Sequence, residues 1–419
     1  MLRRSGRWVA ALAALMIAST ALAGCSSKAD EKSGGGEGAT PGVSADTITL
    51  GALSALTGTF AAGAKRQLAG AELYWKEVND AGGVCGGRTV TIEARDNAYD
   101  PQRTVSAYGD ISPDVLALQL ITGTAMTQAI ADSMERDDMS SIPMSWSPDL
   151  LGKPSILIPG TTYDVDMMNA VDFLLDQGKL AQGDTIGYIY FPGDFGGAGF
   201  AGAEKAGQAH GITVDAYEVD PTATDLSSQI STMAKNGTKA VFLSVSPPLL
   251  ANAAAVAATE HLDVPFVVPT PTFVPDLLQS DAATQVARET YVVSPYDAWT
   301  GSAPGMADLR KAFAADGDGG TPQQFFIAGY AAAQVMHNAL ERTCAAGDLT
   351  RENLAKSFAD SKAFAMHGLS VDLDFSDRAV PPALQDYILR VDASAAGGLT
   401  PVQAEPYQGA DAAPLLSGK

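Results

Sequence analysis

The stretch 46–96, "DTITLGALSALTGTFAAGAKRQLAGAELYWKEVNDAGGVCGGRTVTIEARD", holds one complete repeat of the pattern that builds the whole chain. "DTITLGALSAL" is an apolar strand running into a loop. Leu68, Ala71, Trp75 and Val78 then recur at helical spacing until "AGG" at 81–83 stops the helix, and "RTVTIEARD" is the next strand. Outward from here the alternation continues: "PQRTVSAYGDI" (101–111) predicts helix, "DVLALQL" (114–120) buried strand, "GTAMTQAIADSMERDD" (123–138) helix and "SSIPMSW" (140–146) strand. Repeated βα wrapping of this kind predicts a parallel sheet with helices on both faces. The pattern restarts after "ILIPGTTYD" (156–164) and runs through four more strands to "ETYVVSP" (289–295), so two successive α/β units are expected. A long helix is expected from Thr321-Pro322-Gln323-Gln324, with Thr321 as cap and Gln324 closing a capping box. Finally "LSVDLDF" (369–375) and "DYILRVD" (386–392) read as a β-pair.

The N-terminus addresses the chain to a compartment. "MLRRSGR" is a basic segment, "WVAALAALMIASTA" an apolar one too short for a permanent span, and "LAGC" follows. Ala23 and Gly24 before Cys25 resemble the bacterial lipobox, which implies cleavage after residue 24 and lipid on Cys25; the alternative is an ordinary signal peptide with an incidental cysteine. Residues 25–45, rich in Gly, Ser and charge, read as a flexible tether, and 405–419 as a frayed tail. No cofactor is expected; an exported lipoprotein has little access to a nicotinamide cofactor in particular.

With 27 basic against 48 acidic residues the chain carries a formal net charge of −21, more once the leader's Arg3, Arg4 and Arg7 are removed. That excludes nucleic acid and anionic lipid surfaces as electrostatic partners. Cys85 and Cys344 form an even pair in an oxidising compartment, for which a disulfide is expected; two buried free thiols are the alternative. His210, His261, His337 and His367 are scattered without metal-ligand spacing, and no G-x-S-x-G elbow occurs, so neither a metal site nor a catalytic residue is assigned.

The run from "ITLGALSALTG" through "GAELYWKEVNDAGG" to "DNAYDPQRTV", continued in "GTAMTQAIAD", "IPMSWSPDL" and "DFGGAGFAG", resembles the type I periplasmic solute-binding proteins of the leucine/isoleucine/valine-binding class over nearly the whole exported chain. The resemblance implies two doubly wound parallel-sheet lobes joined by three crossovers, placed near Gly160, Ser294 and Met366. The first lobe then takes 46–160 and 295–366, the second 161–294 and 367–404, and Cys85 and Cys344 fall in the same lobe. It also implies a small-molecule solute captured between the lobes by hinge closure, and a monomer that delivers it to an ABC permease from a lipid anchor on the outer face of the membrane. A ligand sensor for a membrane receptor and an exported α/β enzyme are the competing functions.

Gly197-Ala-Gly199-Phe-Ala-Gly202 matches the dinucleotide fingerprint G-x-G-x-x-G, but residues 191–196 lengthen the turn before it and Pro192 helps to end the strand, which demotes the match. "GDFGGAG" reads instead as a loop at the cleft, where the resemblance gives Phe195 the role of a ring against the solute. Solutes of open α/β sheets sit beyond the carboxyl ends of strands. That rule selects Thr122, Gly123 and Thr124 to receive a carboxylate, and Ser145, Trp146, Phe60, Ser246 and Thr270 as further candidates. Trp146 and Phe60 could equally pack in the core. Amino-acid binders place an aromatic ring and a carboxylate where Ser246 and Thr270 stand. An α-ammonium would need a substitute such as Asp194 or Asp297, or the solute lacks an ammonium and is another small carboxylate, amide or aromatic acid.

Overall fold

The computed structural model describes residues 40–193, 195–317 and 320–417, with side chains as far as 415. The leader, Cys25, the tether to residue 39 and Asp194 lie outside the described residues. From Thr40 onward the chain is one compact unit.

Its first part is β1 (Thr47–Ser54), α1 (Ala61–Asp80), β2 (Thr89–Asp96), α2 (Pro101–Ile111), β3 (Leu118–Ile121) and α3 (Thr124–Arg136). The three strands form a parallel sheet in the order β2-β1-β3, and single parallel bridges at Ser141, Met144 and Ile156 carry it onward. "SSIPMSW" thus contributes bridges rather than a continuous strand. β1 is buried on both faces over most of its length, with Ile48, Leu50, Ala52 and Leu53 fully buried.

The second part is α4 (Tyr163–Asp176), β4 (Thr185–Tyr190), α5 (Phe195–His210), β5 (Thr213–Glu218), α6 (Ser227–Asn236), β6 (Ala240–Ser244), α7 (Pro247–Thr259), β7 (Phe266–Pro269), α8 (Ala283–Val286) and β8 (Thr290–Ser294). The chain then returns through α9 (Pro304–Asp316), α10 (Gln324–Ala346), α11 (Arg351–Ala359), β9 (Ala363–Phe364) and β10 (Leu373–Asp374), and ends in β11 (Tyr387–Val391) and β12 (Leu399–Pro401). A seven-stranded sheet runs β12-β11-β8-β7-β6-β4-β5; its β8-to-β5 core is parallel, with β11 and β12 added antiparallel at one edge. Two α/β lobes joined by crossovers result, as expected.

Two local expectations are corrected. "LSVDLDF" does not pair with "DYILRVD": Leu373–Asp374 pairs with Ala363–Phe364, while β11 takes β8 and β12 as neighbours. The capping box at Gln324 is also absent. Gln323 stands at the N-cap of α10 without a side-chain cap, and the Gln324 amide bridges the crossover instead, accepting from Ser294 Oγ (3.1 Å) and donating to the Asp297 carbonyl (3.0 Å). A buried amide is better used joining two segments than shared with a helix end that water could serve.

α10 lies along α1, and at the far end of this pair Cys85 and Cys344 form the expected disulfide, with Cα atoms 5.5 Å apart. The C-terminal segment is not frayed over its described residues. α4 presents Asn169, Asp172 and Asp176 on one face, and these accept from Gly409 N (2.9 Å), Asp411 N (3.0 Å) and Tyr407 Oη (2.7 Å). His210 at the end of α5 places Nε2 3.1 Å from both Asp172 and Asp411.

Candidate functional site

The carboxyl ends of strands from both lobes converge on a small, nearly closed pocket. Phe60 enters from the loop after β1, Tyr99 from the loop after β2, Thr122, Gly123 and Thr124 from the end of β3, and Met144 from the adjoining bridge. Phe195 and Pro271 come from the ends of β4 and β7, and Tyr163 and Phe325 from the first turns of α4 and α10. A larger hollow beside α8, lined by Ala283, Gln285 and Arg288 among others, is open surface of the second lobe alone, away from every strand end that the lobes share.

Of the residues selected by the strand-end rule, Phe60, Thr122, Gly123 and Thr124 meet here, joined by Phe195, which the family resemblance had indicated. Ser145, Trp146, Ser246 and Thr270 do not line the cavity. Ser145 stands behind it, its Oγ donating to Thr124 Oγ1 (2.9 Å). Trp146 is fully buried against Tyr163 and Tyr296, with ring centroids 5.5 and 5.7 Å away. Ser246 is the N-cap of α7, and Thr270 donates to the Val293 carbonyl (3.4 Å) next to the lining residue Pro271.

Local geometry fixes the lining rings. Asn97 is buried after β2; its Nδ2 donates to the carbonyls of Leu53 (3.3 Å) and Thr122 (3.2 Å), and its Oδ1 accepts from Tyr99 N (3.0 Å). Ala98 and Tyr99 both adopt positive φ, 48° and 58°, which turns the Tyr99 ring onto Phe60 at 4.3 Å. Nothing in the residue pattern signals so unusual a backbone. Gly123, at φ 103°, is the N-cap of α3; no side chain caps it, so the positive end of the helix dipole faces the cavity wall. Thr127 Oγ1 donates back to the Gly123 carbonyl (2.8 Å) and secures the turn.

α5 starts at Phe195, so "GGAGFAG" is helix rather than loop. A Cβ on Gly199 would lie 2.4 Å from Tyr188 Oη, and one on Gly202 2.1 Å from the Asp164 carbonyl. Gly199 and Gly202 therefore let α5 approach β4 and α4 closely, whereas a Cβ on Gly197 would meet open space; lying within the helix, the three do not form a phosphate-binding turn.

Among the described residues, every side chain lining the cavity is uncharged. Asp297 is not among them: it is buried beyond the β8 crossover, accepts from Ala298 N (2.7 Å), and is pushed up to about 6 by burial, opposed by that N–H and by Arg310. The walls can thus enclose an apolar or aromatic body and offer hydroxyls and a helix N-terminus to one anionic end.

The family model described as periplasmic binding protein matches residues 47–396. Among solved structures, a fatty acid ABC transporter substrate-binding protein from Thermomonospora curvata is 33% identical, covering 89% of this chain and 95% of its own, with a TM-score of 0.86. A branched chain amino acid ABC transporter from Thermus thermophilus with bound valine shares the fold at 19% identity and a TM-score of 0.74, covering 88% of this chain and 97% of its own. No curated protein matches significantly. The sequence match over both lobes and the agreement in fold together show that the chain belongs to the periplasmic binding protein family of solute-binding proteins.

Proposed function

We propose that this chain is the lipid-anchored solute-binding component of an ABC importer, and that its solute is an apolar monocarboxylate without an α-ammonium group. One observation carries the choice of solute: a cavity walled by Phe60, Tyr99, Tyr163, Phe195 and Phe325 that offers no carboxylate among the described residues. An ammonium enclosed there would lose its hydration with no anion among the described residues to replace it, a cost of several kcal/mol. The carboxylate end would lie at the start of α3, held by Thr122, Thr124 and backbone N–H groups, with Ser145 steadying Thr124. The fatty acid named for the Thermomonospora curvata relative is of this chemical class.

Solute contacts made in both lobes would favour the closed form, which a membrane permease then reads. Residues 371–378 remain bonded to the first lobe: Val371 N donates to the Pro295 carbonyl (2.8 Å), and Arg378 donates to the carbonyls of Lys153 and Ile156. This supports placing the third crossover between Pro382 and Asp386, later than Met366. Export and lipid attachment at Cys25 rest on the leader sequence.

Mass spectrometry of solute released from denatured protein, followed by calorimetric titration with valine and 3-methylbutanoate, tests the reading. These two compounds share an isopropyl group and differ in the ammonium. Binding of the des-amino acid but not of valine is expected; binding of valine alone defeats the proposal, and turnover of the bound compound would select an enzyme instead.

A further inference from the structure

Three segments meet in a buried polar knot where the chain first enters the second lobe. Thr161 follows Gly160, Asp166 lies in the first turn of α4, and Asp386 immediately precedes β11; all three are fully buried. Thr161 Oγ1 is 2.6 Å from Asp166 Oδ1 and 2.7 Å from Asp386 Oδ1. Both separations are hydrogen-bond lengths, yet a hydroxyl has one proton and can donate to only one of the two acids. It must accept from the other, which therefore carries a proton.

The surroundings identify the protonated partner. Asn169 Nδ2 donates to Asp386 Oδ2 (2.7 Å), so Asp386 has a donor at each oxygen and suits the ionised form. Asp166 Oδ2 is buried without a hydrogen-bond partner, an expensive place for negative charge. The consistent chain of bonds runs from the Asp166 O–H to Thr161 Oγ1, and from the Thr161 O–H to the Asp386 carboxylate. Burial and the Asp386 charge hold Asp166 well above the usual carboxylate range, and burial pushes Asp386 up to about 6.

The neighbouring groups do not relieve the charge. Asp164 on α4 is itself raised by burial, with Lys205 opposing. Tyr188 on β4 shares a hydrogen bond with Ser244 Oγ (2.7 Å), and Tyr296 donates to the Pro159 carbonyl (3.3 Å); burial raises both phenols, which stay neutral. The Asp386 backbone is also fixed, exchanging hydrogen bonds with Tyr407 (2.8 and 2.7 Å).

We propose that this joint is a proton-linked latch: one proton held between Asp166, Thr161 and Asp386 ties the Gly160 crossover to the segment entering β11, and its loss as pH rises sets two carboxylates against each other and frees both segments to move. The latch does not depend on the identity of the solute. It makes hinge mobility respond to external pH in a protein whose opening and closing is its working motion.

Two measurements on the full-length protein test it. Infrared difference spectroscopy should show a protonated carboxyl C=O band at pH 7 that disappears on alkaline titration and is missing from Asp166→Asn. Amide hydrogen exchange at 160–163 and 384–388 should rise with pH more steeply in the wild type than in Asp166→Asn. A divergence of about tenfold per pH unit of separation from the latch's midpoint is the limit set by loss of one proton. Asp297 titrates in both proteins, so their ratio isolates the pair. Should Asp166→Asn fail to fold, Thr161→Val replaces it and should shift the wild-type infrared midpoint by removing the bridging hydroxyl. Absence of the band at pH 7, a constant exchange ratio, or an unshifted midpoint in Thr161→Val would each overturn the latch.

Discussion

Phe60 and Phe195, 135 positions apart in sequence, meet edge to face with ring centroids 6.3 Å apart, one ring from each lobe. Phe195 also contacts Tyr163 at 5.6 Å, so it closes one side of the cavity. Phe195→Ala is expected to weaken binding of the recovered carboxylate by roughly 10- to 100-fold, the equivalent of about 1.5–3 kcal/mol of lost apolar contact. Phe60→Ala should cost a similar amount of affinity and, because the ring is buried in the core, should also lower the melting temperature. Isothermal titration calorimetry checks both, and unchanged affinity in Phe195→Ala removes this helix start from the site.

Asn97 is predicted to act on affinity without touching the solute. Asn97→Ala leaves Tyr99 N and two carbonyls short of a partner, at a cost to stability of about 1–3 kcal/mol. Tyr99 would then relax from its positive φ, and binding should weaken in a protein that still folds. Calorimetry beside denaturant unfolding separates the two effects.

The alternation of strands and helices made most of this architecture legible: "PQRTVSAYGDI" is α2 residue for residue. The strand-end rule found Phe60, Thr122, Gly123 and Thr124 because strand order brings them together, but it also chose Ser145, Trp146, Ser246 and Thr270, which stand outside the lining; Phe195 came from the family resemblance. Tyr163 and Phe325 escaped the rule, since they begin helices and reach the cavity only through the way α4 and α10 pack. Met144 looked like strand interior, and Tyr99 depends on a left-handed turn that its neighbours do not announce. Gln324 was misjudged for a related reason: a capping pattern is local, whereas its amide serves Ser294 and Asp297 across a crossover.

The Cys85–Cys344 bridge spans 259 residues of sequence, which includes all of the second lobe's sheet core from β4 to β8. Replacing both cysteines by serine should lower unfolding free energy by about 2–5 kcal/mol, read as a lower guanidinium midpoint. Affinity is expected to hold under native conditions, because the bridge lies at the far end of α1 and α10 from the cavity.

Asp297 is held at about 6 in the folded chain against an ordinary value of 3.8. The stability it contributes is complete below 3.8 and is lost as pH rises through 6, because the unfolded chain gives up the proton more readily. Asp297→Asn should therefore unfold at higher temperature than the wild type at pH 8, and the advantage should vanish near pH 4. Melting curves across that interval test the sign.

The docked C-terminal segment has a mechanical meaning. Val43 bridges to Ile48 beside β1, whereas Tyr407, Gly409 and Asp411 are fastened to α4. The two ends of the folded chain are thus attached to different lobes. If the membrane holds the N-terminal end, the first lobe is the stationary jaw and the second is the one that swings. A fluorophore at residue 411 would travel with the swinging jaw, and paired with one beside Val43 it would turn each solute capture into a change in distance between the ends of the chain.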